Sequence, residues 1–262
     1  MAGDQKVRFR AGGYQPNSNA FVSILTLVAT IGLWQLAASL GWVSTQFASS
    51  PQAIVKSLHD LAVSGELWLH LTASLQRLVI GWVIGTIAGI IVGVLLGLFS
   101  IARSAGMALV SALFPIPKIA LVPLFIIWFG IGEGSKIVTL VFGVFFPTVI
   151  NTLAGVDGVQ RGLIRMGQSF GMRHWSIITK ILLPGALPSI LAGFRITTAT
   201  AIVLLVAAEM IGAEHGIGAF VLQAGNLYAT DDLLAGIVVL SLLGLTVSVI
   251  VGLLERVLLR WR

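Results

Sequence analysis

Long apolar stretches alternate with short polar connections along the chain, and six of these stretches are nearly free of charged residues. An α-helix rises about 1.5 Å per residue, so roughly 20 apolar residues cross the hydrocarbon core of a bilayer. We therefore predict an all-α, polytopic membrane protein with six transmembrane helices. The predicted spans cover residues 21–42, 78–99, 104–128, 137–155, 187–212 and 233–254.

Residues 1–20 form a polar N-terminal segment, in which Lys6, Arg8 and Arg10 precede the first span as they would in a signal peptide. The apolar run that follows is longer than the roughly 7–15 residues of a signal sequence, and no convincing A-x-A cleavage site follows it. We therefore expect an uncleaved first helix and interpret residues 21–262 as a single transmembrane domain.

Composition narrows the class of protein. Hydrophobic residues make up 57% of the 262 residues and charged residues only 10%, whereas an average soluble domain has about 25% charged residues. A soluble globule and a disordered chain are both excluded by these proportions. Because the chain has no Cys, disulfides, thiolate metal sites and cysteine nucleophiles are excluded too.

The net charge of +6 is mainly an orientation signal and not a nucleic-acid signature, because cytoplasmic connections of membrane proteins are rich in Lys and Arg. With the N-terminus inside, the inner segments hold 11 cations and the outer segments three, Lys56, Arg77 and Lys136. Both termini are therefore predicted to be cytoplasmic. The inner cations are Lys6, Arg8, Arg10, Arg103, Arg161, Arg165, Arg173, Lys180, Arg256, Arg260 and Arg262.

Between the first two spans, Ser50-Pro51 has the pattern of an N-cap followed by the first helical residue, and Ser64-Gly65 has that of a helix end. We predict a short helix there, on the outer surface. In the second span, glycines recur at every fourth position from Gly81 to Gly97. Such a stripe lets a neighbouring backbone approach closely, either in a static interface or in one that slides.

The third span is predicted to be broken, because Pro115, Pro117 and Pro123 each remove a backbone donor and disfavour the helical conformation of the preceding residue. Irregular backbone at membrane depth survives only where protein or a water-filled cavity satisfies it. Lys118 lies inside this broken segment. The segment is therefore more consistent with the lining of a conduit than with a lipid-facing surface.

The predicted spans contain only three formal charges, Lys118, Arg195 and Glu209, and intramembrane ions are functional candidates by default. Arg195 and Glu209 are 14 residues apart, about 21 Å along one helix, so they cannot pair with each other within it. We hypothesise that Arg195 and Lys118 give a solute path a positive potential that favours an anion. The alternative is that these groups form structural ion pairs or helix-end hydrogen bonds. The predicted path residues are Pro117, Lys118, Pro123, Arg195 and Glu209.

Residues 157–184 are too polar for the bilayer and too long for a turn, yet they keep a helical rhythm. They predict a short helix, a break at Gly171 and a second amphipathic turn that enters the membrane. The spacing of Gly171, Ile181, Leu183 and Pro184 resembles part of the coupling motif of ABC importer permeases, the binding-protein-dependent transport inner-membrane components. That motif opens with Glu-Ala-Ala, where this chain has Arg-Met-Gly at 165–167.

Further resemblance to the nitrate/sulfonate/taurine branch of this family runs through residues 116–132, 183–188 and 208–212, and the match covers about residues 20–262. It implies the type I ABC importer permease fold, a homodimer in the bacterial inner membrane, two cytoplasmic ABC ATPase subunits and an extracytoplasmic substrate-binding protein. The run 224–231 and the tail 258–262 are most similar to taurine and aliphatic sulfonate permeases. Nitrate, bicarbonate or another small organic solute stays open.

The resemblance also assigns an ATPase-coupling role to the segment, with the fifth span rocking in response to ATP-driven closure of the ATPases. The implied coupling residues are Arg165, Gly167, Gln168, Ser169, Phe170, Gly171, Met172, Trp175, Ile181, Leu183 and Pro184.

Several activities lack their sequence patterns. No G-x-x-x-x-G-K-[ST] loop occurs, so ATP and Mg are expected in the partner ATPase and no cofactor in this chain. The four His residues have no metal-ligand spacing, and no G-x-S-x-G or Ser/His/Asp pattern stands out. A transport subunit without catalytic residues is therefore predicted. A gradient-driven secondary transporter and an intramembrane enzyme are the alternatives from other classes.

Overall fold

A computed structural model describes residues 20–42, 44 and 49–260, and within these residues the regular structure is entirely helical. The predicted N-terminal segment 1–20 lies outside the described residues, except for residue 20. The helices are Ala20–Ser39 (α1), Pro51–Ser64 (α2), Glu66–Leu98 (α3), Ser100–Leu113 (α4), Val122–Phe129 (α5), Glu133–Asp157 (α6), Arg161–Ser169 (α7), His174–Ile177 (α8), Leu183–Gly212 (α9), Ile217–Asn226 (α10) and Thr230–Leu258 (α11).

Within the described ranges, five helical segments are long and apolar enough to cross a membrane, and a sixth crossing results if one bent pair is counted as a single span. This pair consists of α4 and residues 118–129, which meet at an angle of 89°. The chain turns at 114–117, where Pro115 and Pro117 cannot donate the hydrogen bonds of a continuing helix. A 3₁₀ turn, Lys118–Leu121, then leads into α5. The prediction of an all-α bundle with a broken third span is confirmed.

The glycine stripe of α3 lies directly against α6. An added Cβ at Gly85 would lie 2.8 Å from the carbonyl oxygen of Val141, and one at Gly93 would lie 2.6 Å from the Cβ of Thr152. Neither distance leaves room for a methyl group, so both glycines are required for the close approach of the two backbones. Because the contacts advance in the same direction along both helices, α3 and α6 run parallel, and the intervening residues must return across the bundle.

Helix α6 lies at the centre of the bundle, between α3 and α9. Leu140 and Val144 are fully buried, and they pack in one cluster with Leu78 of α3 and with Ala201 and Leu205 of α9. By contrast, most large side chains of α1 are exposed, as lipid-facing or partner-facing side chains would be in a single chain. The bundle therefore has a protein core around α6 and an apolar outer surface.

Helix α2 has the predicted capping. The hydroxyl of Ser50 accepts a hydrogen bond from the N–H of Ala53 at 3.2 Å, and Pro51 occupies the first turn. The helix ends at Gly65, whose φ of 87° is the left-handed conformation that favours glycine. Ser57 then joins α2 to the start of α11 through a 2.7 Å hydrogen bond to Asp232.

The predicted positions of two cations are wrong. Arg77 and Lys136 were expected in outer connections, but they lie within α3 and α6, where they are only 4% and 5% exposed. The apolar runs begin at about 78 and 137, but α3 begins at Glu66 and α6 at Glu133. Hydropathy misses these first turns because they carry polar and charged side chains, although Arg77 and Lys136 among them are buried. We call this end of the bundle the Arg77 end, and the opposite end the Asp157 end.

Candidate functional site

The segment 157–184 lies at the Asp157 end and contains a sharp turn built around Gly171. Helix α7 ends at Ser169, after which the N–H of Gly171 donates to the carbonyl of Gln168 and that of Met172 to the carbonyl of Gly167, both at 3.0 Å. Together with a φ of 67° at Gly171, these bonds form a Schellman motif. Glycine at 171 is therefore explained by backbone conformation, since its side-chain position faces open space.

Gly167 and Ile181 belong to the same turn. An added Cβ at Gly167 would lie 2.9 Å from Cδ1 of Ile181 and 3.3 Å from the sulfur of Met172. Ile177 of α8 completes this contact and is 7% exposed. The spacing of the motif thus reflects packing: one glycine makes the turn, the other receives the isoleucine, and α7 folds back on the chain that enters α9.

The connection into α9 is a π-helical turn, Ile178–Leu182, followed by Leu183 and Pro184 in the first turn of α9. Pro184 has no N–H to donate to the preceding turn, and a widened turn accommodates the missing bond. Leu183 and Pro184 are both half-buried. The predicted coupling residues thus form one continuous element joined directly to α9.

Large apolar side chains on this element are exposed. Phe170 is 80% exposed, Trp175 72% and Met166 50%. The polar side chains of Arg165, Gln168 and Ser169 lie between them and are exposed as well. Exposed apolar side chains of this size, set among exposed polar ones, form the type of surface that a protein partner covers.

The three predicted intramembrane ions lie at three different places, each with its own partner. Lys118 contacts the carbonyl of Phe114 through Nζ, which lies 4.7 Å from the centroid of the Phe114 ring. Nη2 of Arg195 lies 2.7 Å from Oε2 of Glu255 in α11. Pro117 and Pro123 flank Lys118 and are exposed. A shared role of these residues in a solute path stays a prediction.

Glu209, the third ion, is enclosed in a network at the Arg77 end. Nη1 of Arg77 donates to Oε1 of Glu209 at 2.7 Å. Nε and Nη2 of the same guanidinium donate to Oε2 and Oε1 of Glu133, at 2.6 and 2.7 Å. The Glu209 side chain is 0% exposed and that of Arg77 5%, whereas Glu133 is 59% exposed. One arginine therefore joins α3, α6 and α9.

Hydrogen bonds from the connection 213–216 and from the first turn of α10 complete this network. Oε1 of Glu209 accepts from the hydroxyl of Ser74 at 2.8 Å, and Oε2 accepts from the N–H of Gly218 at 2.9 Å. Ser74 in turn accepts from the N–H of Ile217 at 2.9 Å, and Arg77 donates to the carbonyl of His215 at 2.6 Å. The charge of the buried Glu209 carboxylate is thus paired with that of Arg77, and both of its oxygens accept hydrogen bonds.

Arg77 was missed as the partner of Glu209, and Glu133 as the second carboxylate that Arg77 binds. The available signal was Glu209 itself, because a carboxylate within a membrane span requires a cation nearby. Among residues 20–42, 44 and 49–260, no group of three or more His, Asp or Glu side chains is arranged to hold a metal ion.

Comparison with known proteins decides the family. Residues 85–261 match the family model described as "Binding-protein-dependent transport system inner membrane component". The chain belongs to this family. The permease is 42% identical over 234 residues to the "Putative aliphatic sulfonates transport permease protein SsuC" of Escherichia coli strain K12, and the match covers 89% of each chain.

Another relative is the taurine transport system permease protein TauC of the same strain, with 37% identity over 92% of the permease and 89% of TauC. Among solved structures, the inward-facing MetNI methionine ABC transporter superposes with a TM-score of 0.63 at 24% identity, covering 71% of the permease and 93% of that chain. This likeness shows the type I ABC importer permease fold. The permease is thus a multi-pass transport subunit, as predicted, and none of these relatives is a gradient-driven transporter.

Proposed function

We propose that the permease forms the translocation path of an ATP-driven importer for a small sulfonate, most favourably taurine or an alkanesulfonate. In this proposal, two copies pair in the bacterial inner membrane with two cytoplasmic ABC ATPase subunits, and an extracytoplasmic binding protein delivers the solute. This chain binds no cofactor, and ATP and Mg belong to the ATPase. Support for the solute class comes from the relatives that carry sulfonate and taurine transport names.

The observation that carries the proposal is the exposed apolar surface of Met166, Phe170 and Trp175 on the segment 157–184. We infer that this surface docks on the ATPase and that the Asp157 end is cytoplasmic. A push on α7 would pass through the contact of Gly167 with Ile181 into the π-helical turn and then into α9. Because α9 packs along α6, its movement would change the exposure of the path from one side to the other.

A solute panel tests the sulfonate assignment. In cells that express the permease with its cognate ATPase and binding protein, we expect uptake of labelled ethanesulfonate or taurine. An excess of an unlabelled alkanesulfonate should suppress this uptake, and an excess of nitrate or bicarbonate should not. Uptake of nitrate or bicarbonate without uptake of either sulfonate would contradict the assignment and favour the inorganic alternative.

A further inference from the structure

The bent pair of α4 and α5 crosses the whole bundle. Arg103, near the start of α4, binds Asp157 and therefore lies at the Asp157 end. Glu133, the first residue of α6, follows α5 closely and binds Arg77, so it lies at the Arg77 end. The pair is thus one broken span and not a loop that returns to the end at which it entered.

Residues 114–121, which join α4 to α5 and which we call the elbow, lie halfway along this crossing. Just before the elbow, Val110 packs in one cluster with Phe146 of α6. Just after it, the ring of Phe125 packs against that of Phe142 of α6, with their centroids 5.7 Å apart. Both α6 residues lie near the midpoint of a 25-residue helix that is long enough to cross a bilayer. The elbow therefore lies at the depth of the hydrocarbon core.

The polar groups of the elbow are unsuited to lipid. Pro115 has no N–H to donate to the carbonyl of Ser111, where a continuing helix would form its next hydrogen bond. Nζ of Lys118 contacts the carbonyl of Phe114, so a charged group lies at the same depth. Irregular backbone and an ammonium group are tolerated at this depth only against protein or water. The exposed elbow is therefore not a lipid-facing surface.

The apolar side chains beside the elbow are equally unsuited to water. Ile119 is 45% exposed, Ile127 78% and Trp128 63%, whereas Val122 and Phe125 on the inner face of α5 are buried. An exposed apolar patch of this kind marks a surface that another molecule covers. Lipid does not suit the backbone of the elbow, and water does not suit these side chains. Only a protein surface suits both.

We propose that a second copy of the permease covers the elbow and the exposed face of α5, and that the two copies pair there across a twofold axis. In such a dimer the same patch serves both copies, and residues near the axis meet their own counterparts. This inference rests on the proposed function, which requires two copies, and deepens it by naming the surface through which they pair. Pro117 and Lys118, two of the predicted path residues, belong to the elbow, so each copy contributes them beside the same contact.

Cysteine cross-linking tests this surface directly, because the chain has no Cys of its own. Ile119→Cys and Ile127→Cys are each expressed with the ATPase, and the membranes are treated with a disulfide-forming oxidant or a short bismaleimide. The matched controls are Ile87→Cys on α3 and Leu245→Cys on α11, whose side chains are 54% and 64% exposed. Ile87 lies between two glycines that contact the centre of α6, and Leu245 lies near the middle of α11, so both controls are at a similar depth. Because a disulfide requires Cα atoms within about 7 Å, we expect roughly fivefold or more covalent dimer in an elbow variant than in either control.

Two results would overturn this pairing surface. One is covalent dimer in both Ile119→Cys and Ile127→Cys at or below the level of the controls. The other is ready reaction of both cysteines with a charged, membrane-impermeant maleimide in the assembled complex, because water and not protein would then cover the elbow. Either result, with sulfonate uptake intact, moves the contact between copies elsewhere and leaves the proposed function standing. An active complex that contains a single copy of the permease would instead remove the pairing from the proposed function itself.

Discussion

Replacing Arg77 by Met is expected to lower the apparent Tm of the permease by roughly 6–20 °C. The substitution leaves the Glu209 carboxylate, which is 0% exposed, without its cation. Breaking a buried pair by removing one partner costs about 3–5 kcal/mol, and in a protein of this size each kcal/mol corresponds to about 2–4 °C. Thermal unfolding of the purified full-length protein in detergent, followed by Trp fluorescence, measures the shift.

Arg103→Met is the matched control. Arg103 binds Asp157 through two bonds of 2.9 and 2.6 Å, but the two side chains are 46% and 41% exposed. Exposed pairs contribute about 0–1 kcal/mol, so this variant should stay within a few degrees of the unmodified protein. Equal losses of Tm in the two variants would contradict a stabilising role for the burial of the Arg77–Glu209 pair. If Arg77→Met does not accumulate, the double variant Arg77→Met/Glu209→Gln, which removes the uncompensated charge, should still do so.

Truncating Trp175 or Phe170 to Ala is expected to weaken the association of the permease with its ATPase by roughly 30-fold or more. Aromatic residues at the centre of an interface typically cost about 2 kcal/mol or more on truncation. Both side chains are over 70% exposed in the single chain, so their loss leaves little to repack within the permease itself. Copurification of the ATPase over a range of concentrations measures the change.

Trp42→Ala provides the control for this experiment. Trp42 is 79% exposed, close to the 72% of Trp175, but it lies just after α1 at the Arg77 end. The ATPase should bind this variant as it binds the unmodified permease. Loss of binding in Trp42→Ala, or full binding in both Trp175→Ala and Phe170→Ala, would show that the segment 157–184 is not the docking element.

The order of helices and the break in the third span could be predicted because they depend on local properties, namely apolar length and proline chemistry. The turn at Gly171 could be predicted for the same reason, since a Schellman motif is formed by neighbouring residues. The spacing of Gly171 and Ile181 also carried the family resemblance. What the spacing did not reveal is that Ile181 packs on Gly167.

The Arg77 network could not be predicted, because its partners are far apart in sequence. Arg77 and Glu209 are separated by 132 residues, and Arg77 and Glu133 by 56. Hydropathy counts each of these groups as solvent-seeking, and only the packing of α3, α6 and α9 brings them together. The same reason applies to the glycine stripe: its spacing indicates close approach, but the register with α6 is a property of the folded bundle.

Energy coupling is the central claim, and transport into proteoliposomes that contain the permease, its ATPase and its binding protein tests it most directly. We expect accumulation of labelled ethanesulfonate to require ATP on the ATPase side and to stop when the ATPase is left out. Accumulation driven by a proton or sodium gradient, with the permease alone and without ATP, would contradict this account.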